Sequence, residues 1–444
     1  MITATTTATP TSLVKADKAT LRSIRASTVG NILEWYEWSS YAVFAPFIAA
    51  VMFNPANPVS ALLSTLAVFA VGFLARPLGG IVFGRLADRK GRKFILITTM
   101  LIMAGGSFFI GIMPTYATIG VWASILLLLT RLVQGFAHGG ESAAANTYIA
   151  EIAPASRRGM WSSIAFIAIF AGSVLAYVIG GALTSVMGEN VVTEWGWRVP
   201  FLLGGVLALV ALWMRRGMIE SDVFDSEVNE VPADKPTPSA NPVVPDSTRR
   251  YSLGKTIVLI VAMTSGITAA HYTWTSYVST YAISHQGMTP SSAYWMVVIA
   301  QTVALIALPF WGRLSDKIGR KKLLVMFAIF MIITQLPLMN LIDNRPWTLL
   351  IASTVALVIV AMSGAILSAV MSESFPTKYR TQGIGFAYSI SVAVFGGFAP
   401  YINDQVIAWG VGWMSSVYIM LLCVATLIAT TLLPDNTGVD LNKV

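Results

Sequence analysis

Apolar stretches separated by short polar ones run the length of the chain. A segment of about 20 apolar residues crosses a bilayer core at 1.5 Å rise per residue. Stretches of that kind cover 27–53, 61–83, 94–113, 119–149, 161–186, 198–214, 253–282, 291–311, 323–342, 348–371, 383–408 and 413–433. The pattern predicts twelve transmembrane helices, and an even number puts both ends of the chain on one side. It breaks once, over residues 215–252. There Glu220, Asp222, Asp225, Glu227 and Glu230 are followed by Pro232, Pro236, Pro238, Pro242 and Pro245. A stretch of that kind cannot bury enough apolar area to fold. The expected organisation is a tail (1–26), a six-helix bundle (27–214), a linker (215–252), a second six-helix bundle (253–433) and a short tail (434–444).

The two halves share a polar signature. Gly84-Arg85-Leu86-Ala87-Asp88-Arg89-Lys90-Gly91-Arg92-Lys93 returns 228 residues later as Gly312-Arg313-Leu314-Ser315-Asp316-Lys317-Ile318-Gly319-Arg320-Lys321. Eight of the thirteen positions 84–96 match 312–324. A repeated cluster between apolar runs implies an internal duplication, and duplicated bundles in membranes rock against each other around a central site. The glycines suit tight turns. Asp88 and Asp316 are single acids in basic loops. Each can pair with nearby arginines and face the positive N-terminus of a helix in the opposite half. The expected targets are Arg380-Thr381-Gln382-Gly383 for Asp88 and Arg157-Arg158-Gly159 for Asp316. Gly84, Asp88, Gly91, Arg92, Gly312, Asp316, Gly319, Arg320, Arg158 and Arg380 are therefore the gating candidates; plain basic turns are the structural alternative.

Composition agrees with a membrane protein. Of 444 residues 55% are hydrophobic and 11% charged, with a mean hydropathy of +0.70; soluble domains carry about 25% charged residues. The net charge of +8 suggests nucleic acid, but its placement argues otherwise. Most of the 29 Lys and Arg fall in the loops of one face, which the positive-inside rule makes cytoplasmic together with both termini. No cleavable signal peptide is expected in residues 1–26, which lack an apolar core segment. The lone Cys423 supports neither a disulfide framework nor a metal site, and three scattered histidines supply no catalytic constellation. No cofactor and no enzymatic activity are expected.

Charges inside the spans need a reason, since each costs at least about 2.5–3.5 kcal/mol at the bilayer centre. The first half holds Glu34, Glu37, Arg76, Arg131 and Glu141. Glu34 and Glu37 share a helix face with Asn31, Trp38 and Tyr41. Glu34 and Arg76 lie at similar depth, roughly 10–12 Å from the basic-loop boundary at helical rise. Three acids against two arginines leave one carboxylate without a fixed partner, and such a group is suited to carry a proton. Glu34 leads as proton-coupling residue, with Glu37 and Glu141 behind it. Arg76 offers a planar two-donor fork for a substrate carboxylate. Permanent Glu34–Arg76 or Arg131–Glu141 pairs are the structural alternative. Arg131, Gln134 and Gly135 suit tight helix packing equally well. The second half offers His271, Tyr272, Trp274, Thr275, Tyr277, Gln301, Asn403 and Asp404. Asp404 is expected to be wetted, and Tyr277 and Tyr281 fit an interfacial aromatic belt.

The two clusters resemble the signature loops of the major facilitator superfamily, and Arg131-Leu132-Val133-Gln134-Gly135 resembles its fourth-helix motif. More narrowly, the chain is similar to the metabolite:proton symporter family. The matching residues are Gly30-Asn31-Ile32-Leu33-Glu34-Trp35-Tyr36-Glu37-Trp38, Gly72-Phe73-Leu74-Ala75-Arg76-Pro77-Leu78-Gly79-Gly80, Gly139-Gly140-Glu141 and Trp195-Gly196-Trp197-Arg198-Val199-Pro200-Phe201. Tyr272-Thr273-Trp274-Thr275-Ser276-Tyr277 resembles the α-ketoglutarate permease branch, with His271 where that branch has an aromatic residue and Trp38 where phenylalanine is usual. The resemblance implies an all-α membrane protein of two six-helix bundles. It also implies proton-coupled uptake of organic acids or zwitterionic osmolytes into bacteria, across the inner membrane.

The expected function is symport of a small carboxylate, such as α-ketoglutarate, with protons by alternating access. Arg76, Glu34, Trp38, Tyr272, Trp274 and Thr275 are the expected substrate contacts. A proline/betaine-type osmolyte symporter, an aromatic-acid carrier and a proton-driven exporter stay open. The expected partners are the solute, protons and the bilayer, with no nucleic acid, and the expected state is a monomer.

Overall fold

The computed structural model describes residues 18–90, 92–139, 153–216, 252–376, 380–439 and 441. Side chains at 18–28, 84, 87–89, 92, 93, 96, 211–216 and 381 are excepted. Most of the linker, Gly91 and Glu141 thus lie outside the described residues, and for Gly84, Asp88 and Arg92 only the backbone is described.

Among the described residues the chain is helical, without strands. In chain order α1 is Lys18–Val43, continued by Ala45–Met52, and α2 is Pro58–Leu74, continued by Arg76–Lys90. Arg92–Ile112 is α3, Val121–His138 is α4, Arg158–Glu194 is α5 and Val199–Arg216 is α6. In the second half α7 is Leu253–Tyr272, running through a π-helical turn (Thr273–Tyr277) into Val278–Ser284. Pro290–Ile318 is α8, Arg320–Leu341 is α9, and α10 is Pro346–Gly364 with Leu367–Ser374. Arg380–Ser391, the π-helical Val392–Gly397 and Ala399–Ala408 make α11, and Trp413–Leu432 is α12. Nine of the described helices are long and apolar enough to cross a membrane; α1, α3 and α6 cover the remaining expected spans.

The repeated clusters form helix rather than tight turns along most of their length. Helix α2 runs on to Lys90 and α8 to Ile318, so Gly84 and Gly312 are helical. The turn in the second copy falls at Gly319, whose φ of 98° is the left-handed region that glycine tolerates. Gly312 has a packing role instead. A Cβ there would come within 2.6 Å of the Gly159 carbonyl oxygen, so only glycine lets α8 and α5 approach so closely.

Helices α5 and α8 pack together along their length and join the two halves. At the basic-loop end Asp316 accepts hydrogen bonds from Gly159 N (2.8 Å) and Met160 N (3.0 Å). It thus engages the first turn of α5, where unpaired N–H groups carry the helix dipole's positive end. Arg320 pairs with Asp316 at 2.7 Å and with Glu373 at 3.4 Å, and Arg158 pairs with Glu373 at 2.8 Å. At the other end Tyr177 Oη reaches Thr275 O (3.0 Å) and Ser279 Oγ (2.9 Å). Nearby Tyr294 Oη donates to Val43 O at 2.7 Å, and the Ser185 and Ser291 hydroxyls lie 2.7 Å apart. The α5–α8 seam is therefore fastened at both ends.

Candidate functional site

The site forms where α1, α2 and α4 converge on the second half. Pro77 breaks α2. It has no N–H to give the Phe73 carbonyl, so the first segment stops at Leu74 and Arg76 opens the next. Glycines then bring α2 onto α4. A Cβ at Gly135 would fall on the Gly72 carbonyl, one at Gly79 on the Phe136 carbonyl, and one at Gly139 on the Arg76 carbonyl. Such small-residue contacts let helix backbones touch in a membrane. They place Arg76 and Arg131 in one chamber.

Trp38 stands between these arginines. The Arg76 Cζ lies 4.2 Å from the Trp38 ring centroid and 3.9 Å from that of Phe73; the Arg131 Cζ lies 4.0 Å from Trp38 and 4.5 Å from Tyr41. Desolvated cation–π contacts contribute about 2 kcal/mol each, so the aromatic box offsets much of the cost of burying the charge. Arg76 is 4% exposed and Arg131 1%. Among the described residues neither guanidinium has a carboxylate within ion-pair distance. Arg131 donates to Gln134 Oε1 (3.1 Å), and Gln134 reaches Ser107 Oγ (3.1 Å) on α3. Among the described residues the Nε and Nη2 groups of both arginines are buried without a hydrogen-bond partner.

Glu34 pairs with His138, not with Arg76, and thereby replaces the expected structural alternative. His138 follows Arg131 and Gln134 at helical spacing on one face of α4, and it stacks on Trp38 at 5.6 Å with an interplanar angle of 29°. Glu37 lies one turn beyond Glu34. It is buried, and neither of its carboxylate oxygens accepts a hydrogen bond among the described residues.

The second half closes the chamber with aromatic rings. Tyr272 meets Phe73 edge-on at 5.1 Å, and Tyr272 and Tyr388 both lie near the Arg76 guanidinium. Gly396 and Gly397 of the α11 π-turn lie against Tyr272 and Phe73. His271 fits between Phe166 and Phe170 of α5, at 5.7 and 5.6 Å. The two π-helical turns each insert a residue into a helix that faces this chamber; such bulges are frequent at functional sites.

Other candidates lie elsewhere. Trp274 turns into the core of the second bundle and donates its indole N–H to Gln335 Oε1 of α9 at 2.9 Å. Thr275 donates its hydroxyl to the His271 carbonyl (2.6 Å), and its own carbonyl accepts from Gln301 (3.3 Å) as well as from Tyr177. Asp404 is not wetted: it is 1% exposed, and its Oδ1 contacts Tyr277 Oη (3.0 Å) and His285 Nε2 (2.6 Å). Tyr277 is fully buried by this contact and so leaves the interfacial belt. Arg380 caps the end of α10, donating to the Ser372 carbonyl at 3.1 Å, and also reaches the Leu441 carbonyl at 2.7 Å. Sequence reasoning missed His138 and Glu373. A signal existed for each: His138 ends the Arg131–Gln134 face, and Glu373 is an acid at the end of an apolar span.

A duplicated helical molecule with buried charges at the junction of its halves is the architecture of a membrane transporter. The chain belongs to the major facilitator superfamily, whose family model matches residues 28–400 and 261–442. It is 34% identical to the alpha-ketoglutarate permease of Escherichia coli (strain K12) over 374 residues, 84% of each chain. It is 31% identical to an ectoine/proline transporter of Corynebacterium glutamicum over 408 residues, 90% of this chain and 81% of that protein. It is also 31% identical to the citrate-proton symporter of Klebsiella pneumoniae over 409 residues, 91% of this chain and 90% of that protein. The crystal structure of a D-xylose-proton symporter shares the fold, with a TM-score of 0.75 at 19% identity over 95% of this chain and 99% of that one. These relatives are transporters, not enzymes, and the chain is a multi-pass membrane transporter of small solutes.

Proposed function

We propose that the protein imports a small organic acid together with protons across a bacterial inner membrane, with its basic loops and both termini in the cytoplasm. One observation carries this reading. The Arg76 guanidinium is held by Trp38 and Phe73, and among the described residues its Nε and Nη2 groups have no hydrogen-bond partner and no carboxylate lies within ion-pair distance. A planar fork held that way suits a substrate carboxylate, and burial strengthens the contact.

The rest of the cycle follows from the position of Arg76. Tyr272 and Tyr388 of the second half lie near the same guanidinium, so a carboxylate bound there would meet groups of both bundles and favour their closure. Glu34 and Glu37 face the chamber from α1 and supply the protonatable side. With solute and proton both bound, the chamber's charge is compensated and the α5–α8 seam can open at the cytoplasmic end. No cofactor takes part, and the proton gradient supplies the energy. An acid is preferred over a zwitterionic osmolyte on charge grounds: a zwitterion would bring a further cation beside Arg76 and Arg131.

The test is uptake into proteoliposomes with an imposed pH gradient, across mono-, di- and tricarboxylates together with proline and betaine. Accumulation of a carboxylate that collapses with the gradient is expected. Arg76→Ala is expected to lower uptake about 30-fold or more, as truncating one partner of a buried charge pair costs about 2–5 kcal/mol. Wild-type uptake by Arg76→Ala, or uptake indifferent to the gradient, would overturn the reading. Uptake confined to proline and betaine would replace the acid with an osmolyte.

A further inference from the structure

We infer that His138 belongs to the proton site: Glu34 and His138 together hold the proton that accompanies the solute, and a narrow cavity between α1, α3, α4 and α6 gives water access to the pair. The inference deepens the proton-coupled reading above and rests on it.

Three observations converge. His138 Nδ1 is in direct contact with Glu34 Oε1; the His138 side chain is buried and that of Glu34 is 10% exposed. The imidazole lies on Trp38, the same ring that carries the Arg76 and Arg131 guanidiniums, so the pair adjoins the proposed carboxylate site. A cavity beside it is lined by Glu34, Glu37, Thr99, Met103 and His138. Among the described residues the charged groups facing the pair are Glu37 from its own helix, Arg76 from α2 and Arg131 from α4. Among the described side chains α3 offers the hydroxyls of Thr99 and Ser107, and α6 presents Gly204 and Ala208.

Proton counting shows what a carboxylate–imidazole pair can do here. Without a proton the pair is Glu⁻ and neutral His, with a net charge of −1. With one proton it is neutral, whichever atom holds it. Glu34 acts electrostatically on Arg76, so the unprotonated pair supplies that guanidinium with negative charge. When one proton arrives the pair stops doing so, and a solute carboxylate takes over the role. One proton is then bound for each carboxylate, and the chamber's charge is the same before and after. Imidazole also has two nitrogens, so a proton can be taken up on one edge of the ring and released from the other. A lone carboxylate lacks that second edge.

The test separates coupling from packing. His138→Gln and His138→Phe would be reconstituted and compared with wild type in two assays: accumulation driven by a pH gradient, and solute exchange without a gradient. His138→Phe keeps a ring against Trp38, and His138→Gln keeps a polar side chain. Both are expected to lose gradient-driven accumulation by about tenfold or more, with exchange retained, as for removal of a proton-transfer group. The pH profile of uptake should flatten between about pH 5.5 and 8. Wild-type accumulation and pH profile in His138→Phe would show that the ring only packs, and would overturn the inference. Loss of exchange together with accumulation in both variants would overturn it as well, since the residue would then hold the chamber together. Failure of the wild type to move any acid with protons would instead remove the proposed function, a separate outcome.

Discussion

Arg76 and Arg131 rest on one indole and differ in what else holds them. Gln134 takes a hydrogen bond from Arg131 and ties it to α3, whereas among the described residues Arg76 meets the faces of Trp38 and Phe73 and lies near Tyr272, Tyr388 and Glu34. The less anchored arginine is therefore assigned to the solute. Lysine at position 76 would keep the charge but lose the planar fork and its stacking. Arg76→Lys is expected to cut initial uptake roughly 10–100-fold, about 1.4–2.8 kcal/mol, rather than restore it. Initial rates in vesicles measure this. Asp343 marks the opposite case. In the α9–α10 loop it accepts from Arg345 Nε (2.8 Å) and Thr348 Oγ1 (2.9 Å), and Arg345 holds its carboxyl down to about 2. A depressed value means that this contact is fully present above the ordinary aspartate range, near pH 3.9. It is lost only as pH falls through about 2. Asp343→Asn should therefore leave the pH profile of uptake unchanged between about pH 5 and 8; a shifted profile would contradict this.

Helix α2 shows how elements set the site. Its break at Pro77 and its glycine contacts with α4 decide that Arg76 opens a helical segment beside Trp38. A valine at Gly135 would place its Cβ on the Gly72 carbonyl, so α2 and α4 must separate. Gly135→Val is expected to destabilise the folded carrier by at least about 1–3 kcal/mol, as overpacking does. It should lower both the melting temperature in detergent and the yield in the membrane. Unaltered melting would show that α2 can shift without cost. The same element explains part of what sequence alone read and missed. Glu34 and Arg76 were legible as buried charges at equal depth, because apolar runs and helical rise give depth. Their partners were not legible, since rotation about a helix axis decides whether Glu34 meets Arg76 or His138. The partner of Trp274 was not legible for the same reason: it lies in the π-helical turn of α7, and its indole N–H donates to Gln335.

At the scale of the whole molecule the two halves meet along the α5–α8 seam and its flanks, fastened by Asp316 and Glu373 at the basic-loop end and by Tyr177, Tyr294 and Ser185 at the other. Alternating access needs each end to release in turn. The Ser185 and Ser291 hydroxyls, 2.7 Å apart, allow a direct test. Ser185→Cys with Ser291→Cys should cross-link under oxidation and stop transport, and reduction should restore it. Full transport by the cross-linked carrier would show that this end need not part. By itself the sequence determined the class of machine. The number and spacing of apolar runs, the duplicated Gly–Arg–Leu–x–Asp cluster and the one-sided basic loops are local properties that survive without knowledge of packing. It also determined which residues bear charge inside the membrane, because burying a charge is costly wherever it occurs. Only the tertiary structure decided which charges face one another. Pairing depends on helix rotation, on breaks at Pro77 and the two π-turns, and on glycine contacts of a few ångströms. None of these is encoded in the hydropathy pattern.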